Sequence, residues 1–182
     1  TADRQRIEQA ATRFYDLLRS RTYRTAYDES STQLKVRVPF EQMESVWTSI
    51  SETLTIPAAL TLDDLVIVVV KEGARGPQSV SCVVAGDSLS GRTMSATDQP
   101  FQAYLVHSGT VGGNTYTYAS VWFLEEDAWR MATFGAKPKL QGGHDWTWYR
   151  DLAIEQKDKG NNRNAALLLN MAMDLVIPAP WI

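Results

Sequence analysis

Cysteine is almost missing from this 182-residue chain: Cys82 stands alone. That excludes an intrachain disulfide, and it excludes a zinc site built from several thiolates. Histidine is scarce too, with only His107 and His144. Positive charge is not in excess, since 18 basic residues face 21 acidic ones and the net charge is -3. A nucleic-acid or anionic-membrane binder needs a strong basic patch, so neither is expected. No apolar run approaches the roughly 18 residues of a spanning helix; Leu65-Val66-Ile67-Val68-Val69-Val70 is strand-length. A Gly-rich phosphate loop, a paired metal motif and a Gly-x-Ser-x-Gly elbow are all lacking. The sequence therefore implies neither a cofactor nor a metal.

What is there is ordinary globular composition. Hydrophobic residues make up 44% and charged residues 21%, which argues for a packed core and against disorder. The length suits one domain with a small extension. The chain opens at Thr1 and enters a helix almost at once. This fits either a trimmed piece of a longer chain or a processed form, and loss of a signal segment would suit a periplasmic or secreted location.

Ile7, Ala10, Ala11, Phe14, Leu17 and Leu18 recur at helical spacing, which predicts an amphipathic helix from about Asp3 to Arg21. A helical turn over Tyr23 to Glu29 is expected next, then an irregular or extended stretch from Gln33 to Val38. Pro39 suits the first turn of the next helix, and Phe40, Met43, Val46, Trp47 and Ile50 supply that helix's apolar face. Strands are predicted over Leu62 to Glu72, Gln78 to Ala85, Phe101 to Gly109, Thr115 to Glu125 and Ala128 to Phe134. Gly73 to Pro77, Val111 to Asn114 and Glu125 to Asp127 read as turns. The polar stretch from Gly86 to Pro100 reads as a long loop, either on the surface or over a site. Short connections between consecutive strands predict an antiparallel meander. After a Gly-containing linker, with Asp145 as a helix cap, two helices separated by Gly160-Asn161-Asn162 form an αα-hairpin.

The stretch from about Asp3 to Pro138 resembles the NTF2-like superfamily of cone-shaped α+β domains. The resemblance rests on Phe14-Tyr15-Asp16-Leu17-Leu18, on Tyr23 to Ser30, on the Pro39-Phe40-Glu41-Gln42-Met43 helix start, and on Trp129-Arg130-Met131 with Pro138 beyond it. It implies a curved antiparallel sheet around helices over residues 1–138, and a homodimer through the open sheet face. The superfamily spans isomerases, dehydratases, transport factors and noncatalytic modules, so the fold does not choose a function. Residues 139–182 resemble one tetratricopeptide-type hairpin, on Ala153, Gly160, Ala165, Leu169, Ala172 and Pro178. A solenoid needs about three repeats, so a lone hairpin must pack on the first domain, on another chain or on further repeats.

An isomerase or lyase resembling this superfamily would carry an acid/base pair inside the cone. His107 is the candidate base by its place on a sheet strand, with Tyr104 or Tyr118 as hydrogen-bond donor; the alternative is a histidine facing solvent or bonded in the core. Tyr104, Tyr116, Tyr118 and Trp122 lie on neighbouring strands and either line a small-ligand pocket or pack the sheet on the helices. Asp63 and Asp64 are adjacent, so a strand would point them to opposite faces, and a turn before the strand is expected for them. Cys82 shares a face with Val80 and Val84 and reads as a buried thiol. Arg4, Arg6, Arg13, Arg19, Arg21 and Arg24 form either an anion patch or a solvated helix face. Trp146, Trp148 and Trp181 either dock the hairpin or anchor a protein partner. The leading reading is a noncatalytic module that binds a small ligand or a protein. The first alternative is an isomerase or lyase using His107, and the second is a scaffold acting through the hairpin.

Overall fold

The computed structural model describes residues 2–70, 78–83, 91–96 and 99–176, with backbone alone over 78–83 and 91–96. Four helices precede a sheet, and two helices follow it. The first helix, α1 (Ala2–Arg19), buries Ile7, Ala11, Phe14, Tyr15 and Leu18 along one stripe. Two short helices follow, α2 (Tyr23–Asp28) and α3 (Thr32–Arg37), then the longer α4 (Phe40–Leu54). Pro39 is the N-cap residue of α4 rather than part of its first turn. Trp47 of α4 packs edge-on to Phe14, with ring centroids 5.7 Å apart.

The expected extended stretch from Gln33 to Val38 is helical instead. Ser31 caps α3 by accepting from the Leu34 backbone N–H. The Glu125 carboxylate also accepts from the Thr32 N–H at 3.0 Å and from the Thr32 hydroxyl at 2.9 Å. A partner 93 residues away thus stabilises a turn of helix that its β-branched residues alone disfavour.

The main sheet is antiparallel in the order β1 (Thr61–Val69), β4 (Phe101–Val111), β5 (Asn114–Glu125), β6 (Ala128–Pro138). The expected meander therefore holds only for the last three strands. β1 pairs with β4, while β2 (Gln78–Val83) and β3 (Gly91–Ala96) pair with each other in a separate two-stranded sheet. Beside β4, the β1 residues Leu62, Leu65 and Ile67 join Ala103 and Leu105 against the helices. Burial across a long chain separation outweighs the entropy saved by a local hairpin. β3 runs through the stretch expected to be a polar loop. The expected turn over 73–77 and the loop ends at 86–90 and 97–98 lie outside the described residues.

Two irregularities keep the helix-facing side apolar. Register shifts between Leu62 and Asp64, leaving Asp63 as the extra residue of β1. A second shift, opposite Val121 and Trp122, leaves Ala132 extra on β6. An extra residue reverses the in/out alternation. Trp129 and Met131 before Ala132, and Phe134 after it, accordingly all pack in the same cluster. Val68, Tyr104, Val121 and Phe123 form a second cluster on the other face. Asp63 and Asp64 thus lie within β1, not in a turn before it, because the bulge accommodates the polar residue without breaking the pairing.

The C-terminal pair is α5 (Trp146–Asp158) and α6 (Asn162–Val176). The Asp145 carboxylate accepts from the Trp148 backbone N–H at 3.1 Å, capping α5. Buried Ala153, Ala165 and Ala172 let the two helices pack closely on each other.

Candidate functional site

His107 sits on β4, on the helix-facing side with Ala103 and Leu105, and is 7% exposed. Leu62 lies directly opposite on β1, next to the Asp63 bulge. From above, α1 lowers Tyr15 onto the imidazole. The two rings meet edge-on at 5.2 Å, and the phenol oxygen lies 3.2 Å from His107 Nδ1. Below this pair, the Trp122 indole N–H donates to the Ser120 hydroxyl at 2.8 Å. Ser120 is fully buried, and its hydroxyl is near enough to the Tyr15 phenol to favour the ionised form.

Burial lowers the His107 pKa, against the opposing negative charges of Asp63 and Glu8. The imidazole is therefore neutral at neutral pH. Burial likewise raises the Tyr15 pKa far above the ordinary phenol value, so Tyr15 keeps its proton. Tyr118, packed beside Tyr15, is pushed up to about 12, chiefly by burial.

The pair forms the floor of a cavity of about 300 Å³. Glu8, Thr12 and Arg19 of α1 line one side; Ala58, Ala59, Leu60 and Leu62 line the other. Its volume lies at the small end of the range for small-molecule sites. The apolar wall is held from both ends. Arg19 donates to the Pro57 carbonyl at 2.7 Å and pairs with Asp16. Gly109 of β4 lets the wall close in: a Cβ there would lie 2.8 Å from Leu60 Cδ2 and nearer still to Pro57 Cγ. Asp63 is turned to a different task, accepting from the Ser108 hydroxyl at 3.0 Å and facing Lys139. A separate void of about 110 Å³ lies between α1, α2 and β6, walled in part by Phe14, Trp122 and Trp129.

The aromatic set expected to line one pocket is divided. Tyr118 is buried in the main core, its hydroxyl donating to the Thr55 carbonyl at 3.2 Å, and Tyr116 packs at the edge of that core. Trp122 is buried edge-on to Phe14, with ring centroids 5.9 Å apart. Tyr104 is on the opposite face of the sheet and donates to Gln102 Oε1 at 3.2 Å. None of these four is among the residues lining the His107 cavity. Tyr15, Glu8 and Thr12 line it instead, and Gly109 backs its wall. The available signal for Tyr15 was its place next to Phe14 on the buried stripe of α1.

Four of the arginines of the opening helices are matched by acids, Arg4 with Glu8, Arg6 with Asp3, Arg13 with Glu29 and Arg19 with Asp16. Arg24 lies over the Phe40 ring at 3.5 Å. Trp148 is 41% exposed and stacks on His144 at 3.8 Å; Trp146 lies under the Arg150 guanidinium at 5.0 Å. Trp181 and the side chain of Cys82 lie outside the described residues. Among the described residues, no group of three or more His, Cys, Asp or Glu side chains is placed to hold a metal ion. No helix among them is long and apolar enough to cross a membrane.

These features define an α+β protein in which helices pack on a four-stranded antiparallel sheet, followed by a helical pair. Comparison with protein-family models, with curated proteins and with solved structures finds no match.

Proposed function

We propose that this chain is a noncatalytic binding module that takes a small molecule into the cavity above Tyr15 and His107. The single observation that carries this reading is a cavity of about 300 Å³ with an apolar wall and a buried, neutral histidine on its floor. Small-ligand sites combine those elements: concave apolar surface for affinity and a few fixed polar groups for orientation. The helix order and curved sheet support an NTF2-like cone over residues 1–138. The small residues between α5 and α6 support a tetratricopeptide-like hairpin over 139–182.

The arrangement favours binding over turnover. Proton transfer in both directions needs two groups poised near the working pH. The hydrogen-bond partner of His107 is a phenol whose proton burial holds in place. Glu8 is bonded to Arg4, and Asp63 to Ser108. One observation supports the alternative of an isomerase or lyase: a neutral imidazole in a cavity is in the protonation state that a general base requires.

The test is a fragment screen followed through the methyl resonances of Leu60 and Leu62, on the native chain and on Ala59→Trp. Ala59 is an exposed wall residue, so the indole fills the cavity without entering the core. Saturable shifts in the native chain that vanish in Ala59→Trp support the reading. Silence at both leucines across the screen contradicts it. Conversion of a bound fragment, lost in His107→Ala, moves the assignment to catalysis.

A further inference from the structure

The buried polar chain beneath the cavity has a direction, and the direction can be read from its protons. Trp122 Nε1–H is a donor only, and it donates to Ser120 Oγ. Ser120 also lies near the Tyr15 phenol. Tyr15 is 2% exposed, so its own proton needs an acceptor, and His107 Nδ1 lies at 3.2 Å.

Two polarities are conceivable. In the first, Tyr15 donates to His107 Nδ1, and the buried phenol proton has an acceptor at 3.2 Å. In the second, His107 Nδ1–H donates to Tyr15, and the buried phenol proton loses the acceptor that this contact offers it. A stranded buried donor is expensive because it has lost water and gained nothing. The first polarity is therefore the stable one. It makes Nδ1 an acceptor and so leaves the ring proton on Nε2. With Nδ1 taken by Tyr15, the Nε2 edge is the one left to face the cavity.

We propose that His107 is held as the Nε2–H tautomer and that the cavity selects a neutral, carbonyl-bearing small molecule whose oxygen accepts from Nε2. This deepens, and rests on, the ligand-binding reading above. The charges around the ring decide against an anion. The one cation among the lining residues, Arg19, is engaged by Asp16 and the Pro57 carbonyl. Glu8 of α1 and Asp63 of β1 both place negative charge towards His107. An ammonium ligand has no lone pair for Nε2–H. A ketone, ester or amide oxygen supplies the acceptor without adding charge, and its hydrocarbon part meets Ala59, Leu60 and Leu62.

The test has two arms. Two-bond proton–nitrogen spectra of the ligand-free full chain, at mildly alkaline pH, report the tautomer of each imidazole. His107 is expected to show the Nε2–H pattern, and Tyr15→Phe is expected to move it towards a mixture. An Nδ1–H pattern in the native chain overturns the proposal, as does a pattern unchanged in Tyr15→Phe. In the second arm, cyclopentanone, butanoate and butylammonium are titrated while His107 Nε2–H and the Leu60 and Leu62 methyls are followed. Cyclopentanone is expected to half-saturate at about tenfold lower concentration than either ion, the worth of one hydrogen bond. An equal or stronger response to butanoate overturns the ligand class. No response at the leucines to any of the three removes the binding reading itself, while the ligand-free spectrum still decides the tautomer.

Discussion

The Tyr15 hydroxyl lies 3.2 Å from His107 Nδ1, although 92 residues separate them in the chain. The contact joins α1 to β4 and puts the one polar pair of the cavity floor where helix and sheet meet. Tyr15→Phe keeps the ring and removes the bond. It is expected to destabilise the protein by about 1 kcal/mol, since the imidazole loses a buried partner. Urea denaturation of the two proteins checks this; an unchanged midpoint would show that the bond carries no net stability.

His107 also predicts a pH dependence with a definite sign. Burial lowers its folded-state pKa below the ordinary 6.5, against the opposing effects of Asp63 and Glu8. The unfolded chain therefore binds the proton more readily than the folded one. The stability contribution of the neutral ring is complete above about pH 6.5 and is lost as pH falls through the lower, folded value. Denaturation of the native chain and of His107→Asn at several pH values isolates this group. The difference between the two is expected to shrink on acidification, and a constant difference would contradict a buried neutral imidazole.

Gly109 allows the close approach of the Pro57 to Leu60 wall. Gly109→Ala places a methyl 2.8 Å from Leu60 Cδ2. The wall must move, at a cost of about 1–3 kcal/mol for overpacking. A lower thermal midpoint is expected, together with shifted Leu60 and Leu62 methyl resonances. A neutral substitution would mean that the wall yields freely.

The β5–β6 turn carries a stabilising opportunity. Glu126 and Asp127 have φ of 48° and 62°, a left-handed pair in a two-residue hairpin. Asn-Gly is the pair that this geometry favours. Glu126→Asn with Asp127→Gly is expected to stabilise by about 1 kcal/mol in sum, because the strain at each position falls. Calorimetry checks the direction.

Much of the fold was legible because it is written in local periodicity. The α1 stripe, the Gly112-Gly113 turn, the Asp145 cap and the break at Gly160 all follow from residues within a few positions of one another. What was not legible depends on distant partners. α3 is helical because Ser31 and Glu125 satisfy its first turn. β1 leaves its sequence neighbour for β4 because burial against the helices decides the pairing. The site divides in the same way. His107 was legible as a polar residue on a sheet strand. Its partner was not, since the pairing with Tyr15 depends on how α1 crosses β4. The strand parity that puts Tyr104 on the far face of the sheet was readable in principle, because Tyr104 and His107 lie an odd number of positions apart.

The most direct test of the account is a crystal structure of the full chain with cyclopentanone. The expected result is the ketone between Thr12 and Leu60, its oxygen about 2.8–3.1 Å from His107 Nε2 and Tyr15 still on Nδ1. A ketone bound elsewhere, or a His107 cavity holding water alone at saturating ketone, would contradict it.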